Sequence, residues 1–147
     1  MTTQLAMKDF FQREDVVQKF QELLGKRASS YLTSVLSVVS QNSLLANADP
    51  KTVYMAALTS ATLDLPINQN LGFAYIVPYK GQAQFQMGYK GFIQLALRSG
   101  QFLTISATPV YEGQLIEEKP LTGYVFDRKA KKSDVVVGYA SYFKLLN

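Results

Sequence analysis

The sequence contains no cysteine, no histidine and no tryptophan. The first absence excludes disulfides, thiolate nucleophiles and zinc sites built on thiolates; the second removes the commonest general base and metal ligand. Most catalytic constellations are closed to such a chain. No apolar run approaches the roughly 18 to 20 residues that cross a bilayer as a helix, and residues 1–8 lack the basic-then-apolar order of a secretory leader. These features predict a cytoplasmic protein with no membrane partner. The most telling absence is local. Between Leu65 and Tyr111 there is no Asp or Glu, although the stretch holds Lys80, Lys90, Arg98, a run of Asn and Gln, and Tyr75, Tyr79 and Tyr89. Amides, cations and rings without carboxylates suit an approach to a polyanion whose bases stack on flat surfaces. The formal net charge of +4 is modest, so the argument rests on where the charges lie rather than on their sum.

What is present begins with 147 residues, 48% of them hydrophobic, enough for one ordinary core. The expectation is a single α+β domain over residues 1–147: N-terminal helices in a helical region 1–63, followed in 64–147 by a β-hairpin, a short helix and an antiparallel sheet. Over residues 5–42, Phe10, Val17, Phe20 and Leu24, then Tyr31, Val35, Leu36 and Val39, recur at helical spacing, with Gly25 separating two helices. Asp49 and Pro50 form an N-cap and first-turn pair for a third helix, which carries Val53, Ala56, Ala57, Ser60 and Ala61 on one small face. That face suits close packing against another helix, a neighbouring subunit or the core. Pro66 is expected to stop this helix, and residues 68–72 to make a polar turn.

Residues 73–77 and 83–87 read as the two strands of the hairpin, joined by a turn over 78–82. In the second strand Gln82, Gln84 and Gln86 share one face while Ala83, Phe85 and Met87 share the other. From Tyr89 the period becomes helical. Tyr89, Phe92, Ile93 and Ala96 are expected to form a buried stripe, with Lys90, Gln94 and Arg98 along the opposite edge at i, i+4 and i+8. Residues 102–110, 114–118, 124–127 and 135–143 read as antiparallel strands, and a basic loop holds Arg128, Lys129, Lys131 and Lys132. Residues 135–146 form an apolar, β-prone run with no capping element after it. We expect either a fragment or a last strand that pairs with another chain.

The candidate DNA-binding residues are Asn68, Asn70, Tyr79, Lys80, Gln84, Gln86, Tyr89, Lys90, Gln94, Arg98, Arg128 and Lys129. The cations suit phosphates, the amides suit sugar, phosphate or base edges without demanding sequence, and the tyrosines suit base stacking. Each also has an ordinary structural role open to it. Gln84 and Gln86 fit the solvated face of any amphipathic strand, Tyr89 fits a core position, and the lysines and arginines fit any solvated surface.

The segment LPINQNLGFAYIVPYKGQAQFQMGYKGFIQLALRSG, residues 65–100, resembles the signature of the RecT family of phage and prophage single-strand annealing proteins. The preceding SVLSVVSQNSLLANADPKTVYMAALTSATLDL is similar in order and spacing, and the likeness runs from about Phe10 to the C-terminus. Three positions differ: Asp64 stands where members tend to have Gly, Gln69 where Pro is usual, and Leu97 where Gln is common. The resemblance implies a homo-oligomer or filament that coats single-stranded DNA, anneals it to a complementary strand without ATP, and holds the annealed duplex. It implies no cofactor and no catalytic residues. It also implies work beside a partner exonuclease and the host single-strand binding protein. Members are about twice as long as this chain, so the resemblance implies a C-terminal truncation. Two other classes compete. A metal-dependent phosphodiesterase needs convergent carboxylates, and only Asp64 and Glu112 lie near the central stretch. An oligomeric interaction protein with no nucleic-acid role gives no reason to exclude acids there.

Overall fold

The computed structural model describes residues 2–147, with side chains from Ala6 onward; Met1, at the head of the segment read as leaderless, lies outside the described residues. The chain divides into two compact units, Met1–Arg98 and Ser99–Asn147. The elements are α+β as expected. Helices α1 (Thr2–Phe11), α2 (Glu14–Leu24), α3 (Ala28–Ser40), α4 (Ser43–Ala46) and α5 (Pro50–Thr62) precede strands β1 (Ala74–Tyr79) and β2 (Gln82–Met87) and helix α6 (Tyr89–Arg98). Strands β3 (Phe102–Tyr111), β4 (Leu115–Lys119), β5 (Gly123–Phe126) and β6 (Val136–Leu145) follow. Among the described residues, no helix is long and apolar enough to cross a membrane.

In the first unit the core is built from helix faces at 3.6-residue spacing. Val16, Phe20 and Leu24 of α2 meet Leu32, Val35 and Val39 of α3, all buried. Phe20 is wholly enclosed, with the Tyr31 ring 5.7 Å away and the Tyr54 ring 5.9 Å away. Tyr31 donates its hydroxyl to the Ala57 carbonyl at 2.8 Å, so its polar end is satisfied inside the core. Gly25 does end α2, at φ 55. The helical region 5–42 has a second break, at Gln12 and Arg13. Arg13 is extended there and forms an ion pair with Asp15 at 2.7 Å, and neither residue type is a helix breaker by propensity.

Helix α5 begins as expected, with the Asp49 carboxylate accepting from the Lys51 N–H at 2.9 Å and Pro50 at the first position. Its small face, Val53, Ala56, Ala57, Ser60 and Ala61, is buried within the unit. The smallness lets β2 lie close. Ala83 donates its N–H to the Thr52 hydroxyl at 2.8 Å, and the Gly81 carbonyl accepts from the Asp49 N–H at 3.0 Å. The helix stops before Pro66, because Leu63 caps it and Asp64 turns to φ +50. The hairpin turn is tighter than the expected 78–82: only Lys80 and Gly81 form it, at φ 48 and 76, the two positive values that a right-twisted two-residue hairpin requires. Pro78 therefore lies within β1, tolerated because a two-stranded ribbon is all edge.

In the second unit the strands are antiparallel, as their short connections predicted, but they nest. β4 pairs with β5 inside the longer pairing of β3 with β6, making two separate two-stranded ribbons. Of the β3 side chains only Val110 is buried, and none of β6 is.

Candidate nucleic-acid interface

The hairpin register assembles part of the expected surface. Cross-strand partners share a face, and Tyr75 lies opposite Gln86, Val77 opposite Gln84 and Tyr79 opposite Gln82. One face of the ribbon thus carries alternating rings and amides, while Ala74, Ile76 and Ala83 are buried beneath it. Gln84 and Gln86 are exposed. Lys80 rests its ammonium 5.3 Å from the centre of the Tyr79 ring, covering one face of a ring that is 56% exposed.

The turn after α5 presents Asn68 and Asn70 to solvent, and the Asn68 side-chain oxygen accepts from the Asn70 N–H at 2.9 Å. That bond holds the turn open as a rigid Asx loop and leaves the Asn68 amide donors outward.

Helix α6 leaves Lys90 and Arg98 exposed, as expected, but does not bury the apolar stripe expected at Tyr89, Phe92, Ile93 and Ala96: Tyr89 is 72% and Phe92 62% exposed, Ile93 is exposed and Ala96 is half-buried. The face that turns inward carries Gly91, which is buried, and half-buried Gln94, Leu95 and Ala96. A Cβ at Gly91 would collide with the Phe73 carbonyl and lie within 2.8 Å of the Met87 side chain. The helix approaches the hairpin through its one position without a side chain, and that contact outweighs the apolar periodicity. Lys90 is exposed and its stem passes beside Gly72.

Arg98 is exposed yet committed. Its guanidinium donates to the Leu63 carbonyl at 2.9 Å and the Asp64 carbonyl at 2.8 Å, serving the unpaired carbonyls at the end of α5. Asp64, the acid that departs from the family pattern, is ion-paired with Arg27 at 2.8 Å. Arg27 was not among the candidates. Its partner lies 37 residues away in sequence, and no local pattern signals such a pair.

Arg128 and Lys129 belong to the second unit, where both are exposed. Asp127 accepts from the Lys129 N–H at 2.8 Å, and the Gln114 side chain links the Tyr111 N–H to the Arg128 carbonyl, at 2.8 and 3.2 Å. The same loop holds Lys131 over the Tyr111 ring at 3.9 Å and against Asp134. The hydrogen bond to Asp134 raises the Lys131 pKa and lowers that of Asp134. The structure therefore groups Tyr79, Lys80, Gln84 and Gln86 on the hairpin, Asn68 and Asn70 on one turn, and Tyr89, Lys90, Gln94 and Arg98 on α6, with Arg128 and Lys129 in the other unit.

The family model described as RecT family matches residues 29–147. The chain is 49% identical over 142 residues to a Bacillus subtilis (strain 168) protein named Uncharacterized protein YqaK, covering 96% of this chain and 50% of that protein. It is 36% identical over 77 residues to Protein RecT of Escherichia coli (strain K12), covering 47% of this chain and 29% of that protein. The chain thus spans about half the length, or less, of the curated relatives it matches.

Proposed function

The chain belongs to the RecT family, and from that membership we propose that it binds single-stranded DNA and anneals it to a complementary strand in recombination, without ATP and without making or breaking a covalent bond. The observation that carries the reading is the acid-free stretch between Leu65 and Tyr111, whose exposed side chains include rings, amides and cations. Annealing needs phosphates neutralised so that two polyanions can approach, and bases kept within reach of a partner strand. Lys80 and Lys90 serve phosphates. Asn68, Asn70, Gln84, Gln86 and Gln94 serve sugar, phosphate or base edges without preference for sequence. Tyr79 and Tyr89 offer open ring faces, each contributing about 1 to 3 kcal/mol when a base stacks on it. Arg98 has a double task, fixing the end of α5 and presenting a cation. Arg128 and Lys129 add a second basic contact, to backbone or to a neighbouring copy.

Assembly into a homo-oligomer or filament belongs to the same reading. It is supported by the apolar side chains that β3 and β6 leave exposed, among them Leu103, Tyr139 and Phe143. An exonuclease that produces single strands and the host single-strand binding protein are its proposed partners. The test is a fluorescence annealing assay on two complementary oligonucleotides with neither ATP nor metal, alongside native mass measurement. Annealing faster than the spontaneous rate is expected; no acceleration and no oligonucleotide binding would sink the proposal.

A further inference from the structure

Two cavities in the first unit adjoin at Ser34, which lines both. One, of about 380 Å³, reaches Arg27, Gln94 and Arg98; the other, of about 390 Å³, reaches Ser37, Gln41 and Asn68. Together they form a trough whose floor is the outward face of α3 and whose far wall is the turn after α5. At 1.5 Å rise per residue, the floor from Arg27 to Gln41 is roughly 21 Å long, room for up to about six nucleotides at a stacked spacing of about 3.4 Å.

The floor has a regular chemistry. Ser30, Ser34, Ser37 and Gln41 recur at i, i+4, i+7 and i+11, all exposed, while Leu32, Val35 and Val39 face the core. The Ser34 hydroxyl donates to the Ser30 carbonyl at 3.1 Å, and the Gln41 amide donates to the Ser37 hydroxyl at 3.3 Å. The hydroxyl hydrogens of Ser30 and Ser37 and the second amide hydrogen of Gln41 remain to be donated to an acceptor such as a phosphate oxygen. One end of the trough is cationic. Arg98 is held by carbonyl oxygens, which fix the guanidinium without cancelling its formal charge, and the carboxylate of Asp64 is neutralised by Arg27. Half-buried Pro66 and Phe73 line that same end and offer flat apolar surfaces.

We propose that this trough carries a segment of single-stranded nucleic acid, which makes α3, through Ser30, Ser34, Ser37 and Gln41, the floor of the binding site. The inference rests on the annealing reading above and adds to it a helix outside the stretch between Leu65 and Tyr111. A protein partner would want exposed apolar anchors on the floor, where α3 offers hydroxyls and an amide. A phosphodiester chain wants closely spaced, sequence-tolerant polar groups and a fixed cation.

The experiment measures binding of a fluorescein-labelled oligothymidylate by anisotropy at low salt. Ser34→Glu with Ser37→Glu puts two negative charges in the trough, and should raise the dissociation constant at least tenfold. Ser29→Glu with Ser40→Glu puts the same charge on α3 outside it, and should stay within about twofold of wild type after screening. Ser34→Lys with Ser37→Lys should tighten binding at least threefold, a gain that no folding defect can mimic. If wild type binds and the glutamate and lysine pairs both bind as wild type does, the trough is overturned and the annealing reading stands. If wild type fails to bind at all, both fall.

Discussion

Arg98 spends two N–H donors on the end of α5, and this changes what its removal would mean. Arg98→Ala strips the hydrogen-bond donors from two carbonyls as well as removing a cation, so a stability loss of about 1 to 2 kcal/mol is expected in urea denaturation. A loss of DNA binding in that variant is therefore not evidence of contact unless the melt is matched. Asp64 gives the opposite lesson. It holds φ +50, a conformation glycine adopts freely, and the RecT pattern tends to have Gly there. Asp64→Gly exchanges a half-exposed ion pair for relief of that strain, two terms of similar size. Stability should change by less than about 1 kcal/mol. The freed Arg27 should tighten oligonucleotide binding severalfold in the same anisotropy assay, and weaker binding would count against the trough. Tyr31 reports on the core. Burial pushes its phenol above the ordinary 10.0, while the hydrogen bond with Ser60 works the other way. Below pH 10 the phenol is neutral in both states. Above it the unfolded chain loses the proton first, so the contribution of Tyr31 to stability is lost as pH rises toward the folded value. Tyr31→Phe should cost about 1 kcal/mol at neutral pH, and the gap in urea midpoint between it and wild type should narrow above pH 10.

At the scale of elements, α6 shows how a helix chooses its inward face. Periodicity marked Tyr89, Phe92 and Ile93 correctly as one side of a helix; it could not say which side the hairpin would accept. Gly91 decides, because backbone can meet backbone only where no Cβ intervenes, and the Phe73 carbonyl occupies that space. Gly91→Ala should therefore cost about 1 to 3 kcal/mol, although alanine favours helix elsewhere. Near-ultraviolet dichroism and a thermal melt would show it, and a stabilised variant would refute the packing. The hairpin behaved differently. Its alternation was legible from Gln82 to Met87, since one face had to be buried and period two leaves only one way to do so. Its turn is shorter than the expected 78–82 on both sides, because Pro78 marks an ending that an all-edge ribbon does not enforce.

At the scale of the molecule, the charge distribution sets the conditions under which binding should be seen. If phosphates are neutralised by Lys80, Lys90 and the trough cations, the logarithm of affinity should fall with the logarithm of salt, with a slope of about −0.7 per phosphate contacted on a single strand. A flat salt dependence would remove the electrostatic basis of the proposal. The slope should also shrink by about one contact in Lys90→Ala, a variant that, unlike Arg98→Ala, breaks no hydrogen bond given by that side chain. The second unit presents exposed apolar strands with two open ribbons, and measuring mass against concentration tests whether copies cover one another there.

What the sequence determined by itself was local and chemical. The missing cysteine and histidine, the acid-free stretch, the Asp49–Pro50 start of α5, the amide face of β2 and the RecT signature all lie in contiguous residues or short periods. Those signals survive without knowledge of what packs on what. The tertiary structure decided the rest: that Arg27 neutralises Asp64, that Arg98 is bound to the end of α5, that α6 turns its glycine inward, and that the serines of α3 face the turn after α5 across a trough. The physical reason is distance along the chain. Each of these depends on groups more than a dozen residues apart, brought together by burial elsewhere, so no window of sequence contains both partners.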